Sequence, residues 1–159
     1  MKMPKLMVLS DSHRASEKIA RAAEIYKQGG FDAAVHLGDV FPDARKFAAL
    51  TGCTPLCVRG NCDGPFADAP DERIETLDGA KLLLAHGDRY GVKSSLTRLS
   101  YRAEELGCLL ALFGHTHRAF CGYVGAVLLV NPGALRDGNY AEIALEAGKI
   151  VPRLLCLEH

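Results

Sequence analysis

Seven side chains able to bind a metal stand at the ends of apolar runs. "MVLSDSH" delivers Asp11 and His13, "VHLGD" Asp39, "CVRGN" Asn61, "LLLAHG" His86, and "LALFGHTH" His115 and His117. Three oxygen donors and four imidazoles are too many for one tetrahedral ion, but they suit two ions of about five or six coordination. Asp39 is the natural bridge, because one carboxylate can bind a metal through each oxygen. In an extended or bulged segment, residues i and i+2 point the same way. Asp11 and His13 can therefore chelate one ion, and His115 and His117 can do likewise or divide between adjacent ions. No thiolate stands among these donors, which favours Mn, Fe or Zn in a reactive site over a structural zinc. Two cations roughly 3.5–4 Å apart activate a water and clamp both oxygens of an in-line phosphoryl displacement. Singly, each motif has an ordinary explanation: Gly38-Asp39 is common turn chemistry and Asn61 suits a left-handed turn. The order of all five along one chain carries the reading.

These donors meet only if the runs are strands whose ends share one edge, as happens at the carboxyl ends of strands in α/β sheets. "KLMVLS" is short and apolar enough for a buried strand. "ASEKIARAAEIYKQGG" has helical spacing and a Gly29-Gly30 stop. "DAAVHLGD" reads as a strand, "PDARKFAAL" as a helix with Pro42 in its first turn, and "TPLCVRGN" as a third strand. That βαβ rhythm predicts a mostly parallel sheet. "RIETLDGAKLLLAHG" reads as a hairpin turning at Asp78-Gly79. "VKSSLTRLSYRAEEL" reads as an amphipathic helix and "CLLALFG" as a buried strand. From Arg118 onward, short strands punctuated by Gly125, Asn131-Pro132-Gly133, Asp137-Gly138 and Gly148 predict an antiparallel finish. The expected architecture is α/β (α+β), with mixed sheets covered by helices and two sheets packed together.

With 159 residues the chain is the size of one domain, and 48% hydrophobic against 24% charged residues is an ordinary globular balance. Zero formal net charge argues against long nucleic acid or an acidic membrane surface as partner. No apolar run reaches the roughly 18–20 residues of a membrane span, and the N-terminus meets Asp11 too soon for a secretory signal. A cytoplasmic location is expected. The six cysteines form no CxxC pair, so reduced, mostly core thiols are expected. Leu157, Glu158 and His159 look like the start of a vector-encoded histidine tag, leaving 1–156 as the single domain.

The series D-S-H (11–13), G-D (38–39), G-N-C-D (60–63), H-G (86–87) and G-H-T-H (114–117) resembles the calcineurin-like metallophosphoesterase superfamily. The short length, the G-N-C-D form and "NPGAL" at 131–135 resemble most its compact phosphodiesterase branch, the YfcE-like family. The resemblance implies a four-layer αββα sandwich with two mixed β-sheets. It implies one ion on Asp11, His13 and His117, a second on Asn61, His86 and His115, and Asp39 bridging. It further implies attack on a phosphodiester by a metal-bridging hydroxide, with Asn61 able to touch a substrate oxygen. Manganese is the implied metal, with iron, zinc or nickel as alternatives, and a small phosphoester is the implied partner. Self-association stays open. Many superfamily members have histidine where this chain has Cys62, and the compact branch often has a second histidine where it has Asp88, so the acid for the leaving group is unassigned. His36 is a further polar candidate beside the expectation of a core histidine. "NPGAL" can line the site with backbone amides, and Arg14, Arg89 and Arg136 can meet a phosphate. The alternatives are a phosphomonoesterase on the same site and a non-catalytic protein-binding scaffold, since the family includes a retromer subunit whose metal site has decayed.

Overall fold

Strand β1 (Lys5–Leu9) sets the plan through its alternation. Leu6 and Val8 face one way, Met7 and Leu9 the other, and all four are buried. A strand buried on both faces requires a layer on each side. The chain continues as helix α1 (Ser16–Gln28), β2 (Ala33–His36), α2 (Pro42–Thr51) and the two-residue β3 (Leu56–Cys57). Ile19, Ala22, Ala23 and Phe47 of the two helices close over Met7 and Leu9. The other face of β1 meets a second sheet, formed by β4 (Glu72–Leu77), β5 (Ala80–Ala85), β6 (Leu110–Leu112), β7 (Phe120–Val124) and β8 (Val127–Asn131). Parity repeats there. Leu82, Leu84, Leu110, Leu112, Leu128 and Val130 join Leu6 and Val8 between the sheets. Leu83, Ala85, Ala111, Phe113 and Leu129 turn outward to Leu99 and Ala103 of α3 (Thr97–Glu105). Helix, sheet, sheet and helix stack in four layers, as the family resemblance implies. The computed structural model describes residues 4–64, 67–146 and 149–157.

The first sheet is completed by β9 (Asn139–Glu146) and β10 (Lys149–Cys156), in the order β10-β9-β1-β2-β3. Strands β1, β2 and β3 are parallel, while β9 runs antiparallel to β1 and to β10. The second sheet has the order β4-β5-β6-β8-β7, with β5, β6 and β8 mutually parallel. The expected antiparallel finish is therefore corrected at β8, which crosses over to pair with β6. Strands β9 and β10 have eight residues each, longer than the short strands expected. Helix α3 starts five residues later than its apolar pattern suggested. Gly91 takes φ 60°, and the Ser95 hydroxyl accepts from the Thr97 amide at 3.2 Å in the turn that precedes the helix.

Two other expectations change. No cysteine is in a disulfide, but only Cys57 and Cys108 are buried; Cys62, Cys121 and Cys156 are exposed. Cys121 and Cys156 sit on the edge strands β7 and β10, where one face lacks a covering layer. Leu157, set aside as tag, packs into the cluster of Met7 and Leu9, and its amide donates to the Gly138 carbonyl at 2.7 Å. Its apolar side chain fills space beneath the helices whatever its origin. Gly148, Glu158 and His159 lie outside the described residues.

Candidate metal centre

The donors leave β1, β2 and β3 in one sheet and β5 and β6 in the other, and the two sets of loops face each other across the sandwich. The loops are not extended, as the i, i+2 argument assumed. Asp11, His13, Asp39, His115 and His117 adopt left-handed backbone, with φ of 54°, 44°, 67°, 71° and 62°. Each such residue costs about 1–2 kcal/mol, a cost sustained only where surrounding contacts over-determine the loop. Here the Asp11 amide donates to the Gly38 carbonyl at 3.1 Å and the His115 amide to Asp11 Oδ2 at 3.0 Å. Two glycines allow this approach. A Cβ on Gly60 would overlap the Asp39 carboxylate, and one on Gly114 would overlap the Ser10 hydroxyl.

All seven sequence candidates converge. Donor atoms of Asp11, His13, Asp39 and His117 lie within 4.8 Å of one another. Asp11 Oδ1 is 3.2 Å from His117 Nε2 and 3.7 Å from His13 Nε2. Asn61 Oδ1 lies 2.9 Å from His86 Nε2 and 3.1 Å from His115 Nδ1, forming a second group. Asp39 Oδ2 joins them, 3.6 Å from His13 Nε2 and 3.4 Å from His86 Nε2. The two oxygens of Asp39 have different surroundings. Its Oδ1 accepts from the Cys62 amide at 2.8 Å, while Oδ2 faces both groups.

The residues fit divalent cations. Asp11 Oδ1 is buried with no hydrogen-bond partner, an arrangement costly for a carboxylate unless a cation meets it. His86 Nδ1 donates to the Leu37 carbonyl at 2.7 Å, which turns the Nε2 lone pair toward the centre. Burial works to raise the Asp39 carboxyl, but the hydrogen bond and charge of His86 outweigh it and hold Asp39 well below the usual range. Burial, which lowers the pKa of His86, is outweighed in turn by Asp39 and Asp11. Burial first, then the charges of His86 and Lys93, lowers the pKa of His115. The centre thus combines anionic oxygens with inward nitrogen lone pairs, a borderline donor set.

Residues absent from the sequence-derived set hold this geometry. Ser12, between two candidate ligands, donates its hydroxyl to Asp43 Oδ2 at 2.7 Å and lies 3.0 Å from His36 Nε2. Asp43 Oδ2 also accepts from the Arg14 amide at 2.8 Å. His36 is buried, and burial lowers its pKa. Asp63 accepts from the amides of Asp39, Phe41 and Gly60; its place in G-N-C-D was the available signal. The "NPGAL" segment and the residue after it also brace the loop that follows β1. Leu135 N–H donates to the Ser10 carbonyl at 2.8 Å and Arg136 N–H to the Asp11 carbonyl at 3.3 Å. Arg136 Nη2 lies 3.2 Å from His117 Nδ1, and Arg14 lines a cleft with Arg45 and Cys62. Arg89 is instead ion-paired with Asp71 at 3.2 Å. Burial, then the Asp39 charge, pushes the Cys62 thiol up. Asp88 sits in a short 3-10 turn, outside the donor cluster.

Fold and donor set together define a metal-dependent phosphoesterase class. Residues 4–145 match the calcineurin-like phosphoesterase superfamily domain, and the chain belongs to that superfamily. It is 36% identical over 148 residues to the probable metallophosphoesterase YsnB of Bacillus subtilis, covering 89% of this chain and 84% of that protein. It is 27% identical over 168 residues to phosphodiesterase YfcE of Escherichia coli, covering 90% of this chain and 87% of that one. A solved structure from Streptococcus pneumoniae, described as a predicted phosphoesterase, superposes with a TM-score of 0.82 at 26% identity. That match covers all of this chain and 92% of the other. No helix among the described residues is long and apolar enough to cross a membrane.

Proposed function

We propose that the chain is a two-metal phosphodiesterase. The observation that carries this reading is the buried, unpartnered Asp11 Oδ1 at the meeting point of imidazoles from both sheets. Asp11, His13 and His117 would hold one divalent ion, Asn61, His86 and His115 the other, with Asp39 Oδ2 between them. When bound, the ions supply Lewis acidity that activates a water and neutralises charge on phosphoryl oxygens. Manganese suits the mixed oxygen and nitrogen donors, with iron, zinc and nickel competing. His117 would offer Nε2 to an ion, and Arg136 Nη2 lies 3.2 Å from its other ring nitrogen. Arg136 would thus stand beside the donor set, within reach of a phosphoryl oxygen. The Asn61 amide nitrogen points away from the imidazoles, toward Cys62, and can donate to substrate. Because Cys62 replaces an imidazole, diesters of acidic alcohols are the favoured substrates.

The test is metal analysis with parallel assays of manganese-loaded protein on bis(4-nitrophenyl) phosphate and 4-nitrophenyl phosphate. About two ions per chain and faster cleavage of the diester are expected. Preference for the monoester would make the chain a phosphomonoesterase. Neither bound metal nor turnover would favour a protein-binding scaffold.

A further inference from the structure

We propose that the cleft beginning at Thr116 is a substrate subsite for an ester arm that is planar, apolar and tipped by a second anionic group. This rests on the phosphodiesterase reading and names the kind of diester that the centre accepts. Thr116 lies between His115 and His117 and also lines a cleft of about 590 Å³. Thr116 thus joins the donor pair to the cleft along the chain, and the subsite would take one ester arm of a diester whose phosphorus is held at the centre. A volume of this order accommodates a small-molecule arm, since ligand sites commonly span about 300–1,000 Å³.

The lining states the chemistry of that arm. Val92, Leu96, Phe113 and Phe120 provide an apolar wall, while Lys93 and Arg118 stand at its exposed side. The Phe113 and Phe120 rings lie 6.4 Å apart, tilted by 56°, and Phe120 remains 36% exposed although it lies next to a buried aromatic. A flat ring can cover Phe120 and remove that surface from water. The two cations are unspent. Arg59, Arg89 and Arg102 pair with carboxylates, whereas no ion pair among the described residues involves Lys93 or Arg118. An apolar wall alone would suit any hydrophobic arm; two unpaired cations beside it select one carrying an acid. The adjoining metal centre serves the reacting phosphorus, so this acid is a separate carboxylate or phosphate on the alcohol.

Three 4-nitrophenyl phosphodiesters test this, with a methyl, phenyl or 4-carboxyphenyl second arm and 4-nitrophenolate as the leaving group throughout. KM is expected to fall about tenfold from methyl to phenyl and about tenfold again with the carboxylate. Phe120→Ala should shrink the first ratio, and Lys93→Glu with Arg118→Glu should abolish or invert the second. A flat KM series in wild-type protein overturns the subsite while leaving the phosphodiesterase reading intact. No turnover of any ester overturns that reading, and the subsite is then decided by binding. Metal-loaded protein is titrated with 4-carboxyphenylphosphonate, then with methylphosphonate, while the methyl resonances of Val92 and Leu96 are followed. Shifts with the aryl ligand alone support the subsite, and the absence of shifts at millimolar ligand overturns it.

Discussion

Asp39 has two duties that its two oxygens divide. Oδ1 accepts the Cys62 amide and fixes the loop after β3, while Oδ2 faces His13 on one side and His86 on the other. Asp39→Asn retains the shape but removes the charge shared by both donor groups. It should lower metal content from about two ions to one or none and reduce turnover of the diester by at least about 100-fold. Calorimetric metal titration checks the first effect; two ions at wild-type affinity would refute the bridge. The convergence of these side chains was legible because polar residues follow five apolar runs in succession, an order that no single motif would establish. Their left-handed backbone was not. A turn conformation leaves no period in sequence, and Asp11, His13 and His117 are not glycines that would advertise it.

Elements position the donors through contacts far apart in sequence. Ser12 follows β1, His36 ends β2 and Asp43 opens α2, and their side chains form one buried hydrogen-bonded chain. Ser12→Ala would leave His36 and Asp43 without their shared partner. Supporting groups of this kind commonly affect metal affinity by about 10–100-fold, and a loss in that range is expected for manganese. Unchanged affinity with a lowered melting temperature would restrict the network to folding. Its pairings were illegible because Ser12 and Asp43 meet only after β1 and β2 have paired; the crossover of β8 to β6 was hidden for the same reason. In the other sheet, Glu72 of β4 takes Arg102 of α3 at 2.7 Å and also binds the Tyr90 hydroxyl. The Arg102 hydrogen bond lowers the Glu72 carboxyl, and burial then Glu72 pushes Tyr90 up to about 12. A folded pKa below the unfolded value near 4.5 gives stabilisation that is complete above that value. It fades as pH falls through the folded value. Melting curves from pH 3 to 7 should therefore separate wild type from Glu72→Gln near neutrality and bring them together in acid. A constant separation would contradict the linkage.

At the scale of the whole molecule, the centre joins two sheets that otherwise meet through apolar side chains. Leu6, Val8, Leu82 and Leu112 fill the interior between them, while Asp11, Asp39 and Asn61 approach from one sheet and His86, His115 and His117 from the other. Alternating burial made the layers readable from sequence, and the polar ends of the strands indicated the edge at which they would be tied. The unfolded chain cannot hold all these donors together, so divalent ions should bind the native state far better than the unfolded one. Ligand at about 100 times its dissociation constant then adds roughly 2.7 kcal/mol of stability per site. For a chain of this size, each kcal/mol raises the melting temperature by about 2–4 °C. Manganese should therefore raise it by at least about 5 °C, and a chelator should reverse the change. Asp39→Asn should show a much smaller rise, because the carboxylate facing both donor groups is lost. Equal shifts in the two proteins would locate the stabilising ions elsewhere, and no shift in wild type would separate the donor cluster from metal binding altogether.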